Sequence, residues 1–522
     1  MAKDTTDKKV LVRIENLKKY FPLKKKSIFD REQLYVRAND DVTLDIYEGE
    51  TLGLVGESGC GKSTLGRTLL QLYDQTDGRT IYYGRDIDEF PPKYVSEILE
   101  NLVGRRKDLY ELRKEQEAAQ ATYDSLPEGD EKYRALDKLR QIEKDARLLY
   151  LDLAQLIGGF MVAEDLEPVS KILLKEHSYA VEARKLRNKI EEDTVKLEGN
   201  ISLLEEQGKS KNDIEKATEK DRIGIKNNEK ELAEIENKLQ AVNEEIQEML
   251  DKYRDHPDFE KHEKYKDKGI NLARLTTEEM RVLRKDLQLI FQDPYSSLNP
   301  RLTVGQIISE GLYAHKMFAK GDRNIQDHIL ATMDECGLAS YFVHRYPHQF
   351  SGGQRQRIGI ARSIALRPKF IVADEAVSAL DVSIQSQIIN LLLDLKEREN
   401  LTYLFISHDL SVIKYISDRV GVMYLGSIVE LAETEELYSH PLHPYTEALL
   451  SAIPTTDVDS KWEMKPLEGD VPSPVNPPSG CKFHTRCKYA TDICSIVVPE
   501  WEEARPGHFV ACHHKLNGED KE

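Results

Sequence analysis

Gly56-Glu57-Ser58-Gly59-Cys60-Gly61-Lys62-Ser63-Thr64, entered from the apolar run Thr51–Val55, is the stretch that decides the fold. The spacing G-x-x-x-x-G-K-S between a strand and a helix is that of a loop wrapped around phosphates. Its glycines let successive backbone N–H groups approach phosphate oxygens, Lys62 reaches the terminal phosphates, and Ser63 offers a hydroxyl to Mg2+. Cys60 fills a variable position of the loop and needs no chemistry there. Such a loop lies at the end of a parallel strand, so the surrounding chain should be α/β. Phe370–Ala373 and Tyr403–Ser407 read as two further buried strands of the same sheet.

The first of these strands ends in Asp374 and Glu375. Adjacent carboxylates at a strand end can divide the work, one in a metal shell and the other polarising an attacking water. Ser351-Gly352-Gly353-Gln354, continuing as Arg355-Gln356-Arg357, places a Gly-Gly turn and a hydroxyl at a helix start. Backbone N–H groups and the helix dipole there favour an anion. His408 follows the third strand within Ser-His-Asp-Leu. A lone histidine is more often structural, but this one stands behind an acid pair at a strand end.

In this order the motifs resemble those of the ATP-binding-cassette (ABC) ATPases. The resemblance implies an ABC-type P-loop nucleotide-binding domain with a mainly parallel sheet, and ATP and Mg2+ as cofactors. It implies that Gly56–Thr64 cradle the nucleotide, with Ser63, Asp374 and Gln292 serving Mg2+. Glu375 would be the catalytic base and His408 the switch residue at the terminal phosphate. Gln292 lies in Phe291-Gln292-Asp293-Pro294, Asp381 ends the dimer-contact loop Ser378–Asp381, and Tyr20 stands where an aromatic ring meets adenine, with Phe21 as its substitute. In this family Ser351–Gln354 complete the nucleotide site of a partner subunit.

Phe291–Arg301, Ala376–Asp381 and His440–Pro454 narrow the likeness to the ATPase subunits of oligopeptide and dipeptide importers. The Glu375-Ala376-Val377-Ser378 version is similar to the second of two paired ATPases, and Phe350 replaces the usual Leu before the signature. The implied partners are a nonidentical sister ATPase, two transmembrane permease subunits and an extracytoplasmic substrate-binding protein. The implied activity is ATP hydrolysis coupled to peptide uptake, at the cytoplasmic face of the membrane. Importers of nickel or another small solute carry a similar tail.

Composition bounds the rest. A net charge of −18 over 522 residues argues against a nucleic-acid surface as the main business. No apolar run approaches the roughly 20 residues that span a bilayer. Leu148–Ala163 comes nearest, but Asp152 and Gln155 interrupt it, and it reads as a packed amphipathic helix. Met1–Lys9 has no signal-peptide core, so a cytosolic setting is expected, with the six cysteines reduced or metal-bound.

Residues 1–90 and 276–455 read as a split nucleotide-binding domain, 91–275 as a helical, coiled-coil insertion and 456–522 as a tail. Leu232, Ile235, Leu239, Val242, Ile246 and Met249 alternate in steps of three and four, a heptad seam. Ile190, Leu197, Ile201 and Leu204 make a weaker stripe, and Gln207–Asn212 break the two into an antiparallel hairpin. An earlier helix pair, Val95–Ala121 and Lys132–Met161, is separated by Leu126–Asp130. The insertion is a solvated spacer or a docking arm. Chromosome-maintenance and repair ATPases also carry coiled coil between these motifs, but their glutamine loop precedes the coil, whereas Gln292 follows it.

Prolines 472, 474, 477 and 478 make Val471–Gly480 an extended linker into the tail. Cys481, Cys487, Cys494 and Cys512 lack the C-x2-C pairs of a zinc ribbon and suit a [4Fe–4S] cluster. Structural zinc, with His484, His508, His513 or His514 as substitute ligands, and unligated packed thiols are the alternatives.

Overall fold

The computed structural model describes residues 8–24, 33–127, 129–319, 322–452, 467 and 469–517. The expected boundary between 455 and 456 lies outside them. Strands β1 (Val10–Pro22), β2 (Tyr35–Tyr47), β3 (Thr51–Val55) and β4 (Asp77–Tyr82) precede a long helical stretch. After it come β5 (Ile270–Asn271), β6 (Leu287–Ile290), β7 (Phe370–Asp374), β8 (Thr402–Ile406), β9 (Arg419–Tyr424) and β10 (Ser427–Glu433), then β11 (Glu502–Arg505) and β12 (His508–Val510) in the tail.

The strands form two sheets. One has eight strands in the order β11-β12-β10-β9-β3-β8-β7-β6; the other has four, β2-β1-β4-β5, and is antiparallel. The expected mainly parallel sheet describes the centre of the larger one, where β9, β3, β8, β7 and β6 run parallel. There every residue of β3, β7 and β8 is buried, as unbroken apolar runs covered on both faces should be. Ile371 and Phe405 face one core with Ile307, Met333, Ile358 and Leu392. Val372 and Ile406 face the other, which the antiparallel sheet closes with Leu17, Ile46 and Tyr82.

Helix α1 (Lys62–Leu69) follows the phosphate loop, and the helical stretch holds α2 (Lys93–Glu100), α3 (Leu102–Ser125), α4 (Asp130–Ile157), α5 (Glu167–Glu206), α6 (Lys211–Asp251) and α7 (Phe259–Glu263). Then follow α8 (Thr277–Leu283), α9 (Val304–Ala314), α10 (Asn324–Glu335), α11 (Gly352–Ile364) and α12 (Val382–Glu399). The first expected helix is broken at Asn101 into α2 and α3. The second stops at Ile157, where Gly158 turns the chain at φ 47° into the 3-10 turn Gly158–Val162. Asp152 and Gln155, which broke the apolar run in the sequence, are buried anchors of α4. Arg79 of β4 pairs with Glu15 at 2.8 Å and with Asp152 at 2.9 Å, the latter without hydrogen-bond geometry, and also bonds Gln155. Arg274 pairs with the other carboxylate oxygen of Asp152.

Helices α5 and α6 run antiparallel, with Lys175 on Glu245 at 3.1 Å and Arg187 on Glu236 at 2.7 Å. Ile235, Val242 and Ile246 of the heptad seam are buried. On the distal part of α5 the buried residues are Gly199 and Ser202, not the leucines. That face meets the segment ahead of α10: Arg323 N–H donates to Ser202 Oγ at 3.3 Å, and Glu192 pairs with Lys316 at 2.6 Å. A Cβ at Gly199 would lie 2.5 Å from that of Ala319, so the close approach requires glycine.

Candidate ATP-hydrolysis site

The parallel strands deliver their chemistry to one edge. The phosphate loop leaves β3, Gln292 follows β6, Asp374 and Glu375 end β7, and His408 follows β8. Gly56, Gly59 and Gly61 hold φ of 148°, 79° and 108°, and a Cβ at Gly56 or Gly61 would strike the carbonyl oxygen of Met423 or Ala38 at 2.2 and 2.1 Å. Only glycine turns this tightly so close to other backbone. Lys62 is buried with its ammonium on the carbonyls of Gly56 at 2.7 Å and Glu57 at 3.1 Å. Cys60 is buried beneath the loop, and desolvation pushes its thiol pKa up.

Ser63 donates to Asp374 Oδ1 at 2.6 Å. The hydroxyl and carboxylate expected to share Mg2+ are therefore already adjacent, as oxygen ligands of that ion must be. Arg67, one turn further along α1, reaches Asp374 Oδ2 at 3.1 Å; nothing in the motif announced it. Gln292 Nε2 donates to Glu375 Oε2 at 2.7 Å, and His408 Nδ1 lies 3.5 Å from the same oxygen. Glu375 holds a left-handed φ of 50°, a conformation costing on the order of 1–3 kcal/mol at a non-glycine residue. The fold thus turns this carboxylate off the strand and toward Gln292 and His408.

Ser351 caps α11, accepting from Gln354 N–H at 3.4 Å while its own N–H donates to Gln354 Oε1 at 3.2 Å. The signature is thus also a capping box, a local role the S-x-x-Q spacing already encodes. Asp381 likewise caps α12, and the N–H of Ile384 with the hydroxyl of Ser383 lowers its pKa. Tyr20 donates its hydroxyl to Asp40, and Arg37 lies 5.8 Å from its ring centroid. Phe21 packs edge-on to Tyr73 at 5.4 Å. The stretch Lys24–Val36, longer than the approach to the phosphate loop expected from the resemblance, lies partly outside the described residues.

Tyr445 of the helix Pro444–Ser451 and the tail residues Lys482 and Arg486 reach this site. Glu57 N–H donates to the Tyr445 hydroxyl at 2.9 Å, and Arg486 grips the Glu57 carboxylate at 2.7 and 3.0 Å. Lys482 donates to Asp40 at 2.9 Å and to Ser427 at 2.7 Å. Tyr445 stood inside the quoted His440–Pro454 run and Arg486 beside Cys487, but nothing in the sequence tied either to the phosphate loop.

All six cysteines are free thiols. Cys481 N–H donates to Cys494 O at 2.8 Å, and Cys481, Cys487 and Cys494 all act electrostatically on Cys512. Burial, with these neighbours adding, pushes the Cys481 pKa to about 11 and the Cys512 pKa to about 12. Among the described residues no group of three His, Cys, Asp or Glu converges closely enough to hold a metal ion. The candidate zinc histidines are engaged: His508 with buried Glu430 at 2.8 Å, His484 with Cys481 O, His513 with Val497 O and His514 with Thr491.

Comparison with known proteins bears on this arrangement. Residues 39–162 and 259–378 match the ABC transporter family, and residues 429–494 match the oligopeptide/dipeptide transporter C-terminal region. The oligopeptide transport ATP-binding protein AppF of Bacillus subtilis is 55% identical over 249 residues, 47% of this chain and 75% of that protein. The chain belongs to this family of ABC transporter ATP-binding proteins. A putative peptide import ATP-binding protein of Brucella ovis is also 55% identical, over 47% of this chain and 76% of its own length. Among solved structures, cbiO1 from Clostridium perfringens, part of the ABC transporter complex cbiONQ, is similar at 14% identity with a TM-score of 0.40, over 83% of this chain and 91% of that one. The ABC protein described here is an ATPase, converting ATP and water to ADP and phosphate. No helix among its described residues is long and apolar enough to cross a membrane.

Proposed function

We propose that this ATPase drives uptake of oligopeptides or dipeptides as the peripheral, cytoplasmic-face subunit of an ABC importer. The observation that carries the reading is the match of residues 429–494 to the oligopeptide/dipeptide transporter C-terminal region, joined to 55% identity with AppF. Its partners are a nonidentical sister ATPase, two permease subunits and an extracytoplasmic binding protein. Within each site Lys62 binds the terminal phosphates, Ser63, Asp374 and Gln292 serve Mg2+, Glu375 activates water, and His408 senses the γ-phosphate. Tyr20 meets the adenine. Ser351–Gln354 and Asp381 serve the nucleotide held by the sister subunit. Residues 1–90 with 276–455 form the nucleotide-binding domain, and 91–275 form a coiled-coil insertion that stiffens it.

The four tail cysteines hold a [4Fe–4S] cluster. Four free thiols without a disulfide are a donor set of the right kind and number, which must draw together on binding because no three of them converge here. When bound, the cluster supplies a cross-link between the 481–487 turn, Cys494 and Cys512. Anaerobic purification with iron and sulfide analysis tests it, and stoichiometric zinc without iron rejects it.

The function is tested by co-purification from cells, followed by reconstitution in vesicles. Two permease chains and a sister ATPase should accompany this one, and ATP should drive uptake of a labelled oligopeptide. ATP-driven uptake of nickel without peptide would overturn the reading.

A further inference from the structure

Every polar group of Glu57 is held from outside its own position. Its N–H donates to Tyr445 Oη at 2.9 Å, and its carboxylate receives both arms of Arg486 at 2.7 and 3.0 Å. Its carbonyl accepts the Lys62 ammonium at 3.1 Å and Cys60 N–H at 3.2 Å. Gly56 precedes it and Gly59 and Gly61 follow within four residues, and these glycines add little conformational stiffness of their own. Asn39 donates to Gly61 O at 3.1 Å and Gly426 N–H to Cys60 O at 2.9 Å, but Glu57 is the residue of the loop ahead of α1 whose side chain the surrounding protein grips.

The group that grips it is not an adjustable surface side chain. The Arg486 side chain is 5% exposed and stands in the short turn between Cys481 and Cys487. Arg486 N–H donates to Phe483 O at 3.0 Å, and Cys481 N–H to Cys494 O at 2.8 Å. Phe483 is buried against the rings of Tyr424 and Tyr445, at centroid distances of 5.2 and 5.3 Å. Lys482 fastens the same turn to Asp40 and Ser427. A planar guanidinium meeting a carboxylate through two parallel bonds fixes orientation as well as distance.

We propose that Arg486 is a positioning residue for ATP: through Glu57 it sets the phosphate loop and the reach of Lys62, which makes the cysteine turn a buttress of the nucleotide site. The inference needs only the ATPase activity, and it stands whichever solute is carried and whichever metal the thiols hold. Glu375 and His408 follow other strands, β7 and β8, and are untouched by this contact, so its loss weakens binding without slowing the chemical step.

The test measures the dissociation constant of Mg2+ with the non-hydrolysable analogue adenylyl imidodiphosphate, and KM and kcat for ATP, on the full chain. Arg486→Ala should raise the dissociation constant and KM about tenfold with kcat within about twofold. Arg486→Lys keeps the charge but not the fork and should recover only part of the affinity. Glu57→Gln should weaken binding too, and the Glu57→Gln/Arg486→Ala pair should be no worse than Arg486→Ala alone. Trp501, stacked on Phe509 in the tail, reports docking by its emission in a Trp462→Phe background. It should be unchanged in Arg486→Lys. Unaltered affinity in Arg486→Ala, a fall in kcat at constant KM, or additive effects in the double variant would overturn the proposal.

Discussion

Replacing Glu375 by Gln removes a carboxylate's basicity while keeping its shape, and so separates binding from chemistry. Gln292 Nε2 donates to Glu375 Oε2 at 2.7 Å, and the amide oxygen of a glutamine can accept the same bond. The left-handed φ of 50° at this position penalises Gln and Glu alike, so folding stability should change by less than about 0.5 kcal/mol. Ser63, Asp374 and Lys62 make their bonds without Glu375, which leaves nucleotide affinity within about twofold. A positioned general base contributes roughly 10²–10⁴ in rate, or about 3–5 kcal/mol of barrier. Phosphate release at saturating ATP should fall by that factor, while equilibrium binding stays constant. Hydrolysis within about threefold of the unaltered protein would refute the role of Glu375 as base. A loss of binding equal to the loss of rate would refute the geometric argument instead.

Other expectations follow from buried groups. Burial holds the His443 pKa at about 4, below the 6.5 of the free side chain, with Glu430 opposing. Below pH 6.5 the unfolded chain takes up a proton that the folded one refuses, so stability present above that pH is lost as it falls toward 4. The loss reaches about 3 kcal/mol, and His443→Gln should flatten the pH dependence of the unfolding free energy measured in urea by that much. Gly353→Ala would set a Cβ 2.4 Å from Ile384 Cγ2. It should cost about 1–3 kcal/mol by thermal unfolding, with Ile384→Ala relieving most of it. Asp152→Ala strips a buried partner from Arg79 and Arg274 and should destabilise by about 3 kcal/mol in urea, less if Glu15 compensates fully.

The nucleotide site was legible because its parts are local. A glycine loop after an apolar strand, an acid pair ending a strand and a Ser at a helix start each carry their geometry in a few consecutive residues. Parallel pairing then places all strand ends on one edge, so Ser63 meets Asp374 and Gln292 meets Glu375. Of the six repeat positions of α6, Ile235, Val242 and Ile246 are buried while Leu232, Leu239 and Met249 are half-buried. On α5 the rule failed at Gly199 and Ser202, because that face packs on the segment ahead of α10 rather than on α6.

Asp152 and Gln155 looked like interruptions of an apolar helix, and Arg486 like one charge among four cysteines. A charge in a sequence carries no sign of its partner when that partner lies 73 or 429 positions away, as for Asp152 with Arg79 and Arg486 with Glu57. By itself the sequence determined the cassette, the phosphate loop, its acid pair and the four thiols. Only the tertiary structure decided that helix α4 is anchored through buried ion pairs and that Arg486 holds Glu57 of the phosphate loop. Short-range backbone preferences can be read along the chain, whereas desolvated charge pairs exist only once distant segments exclude water from between them.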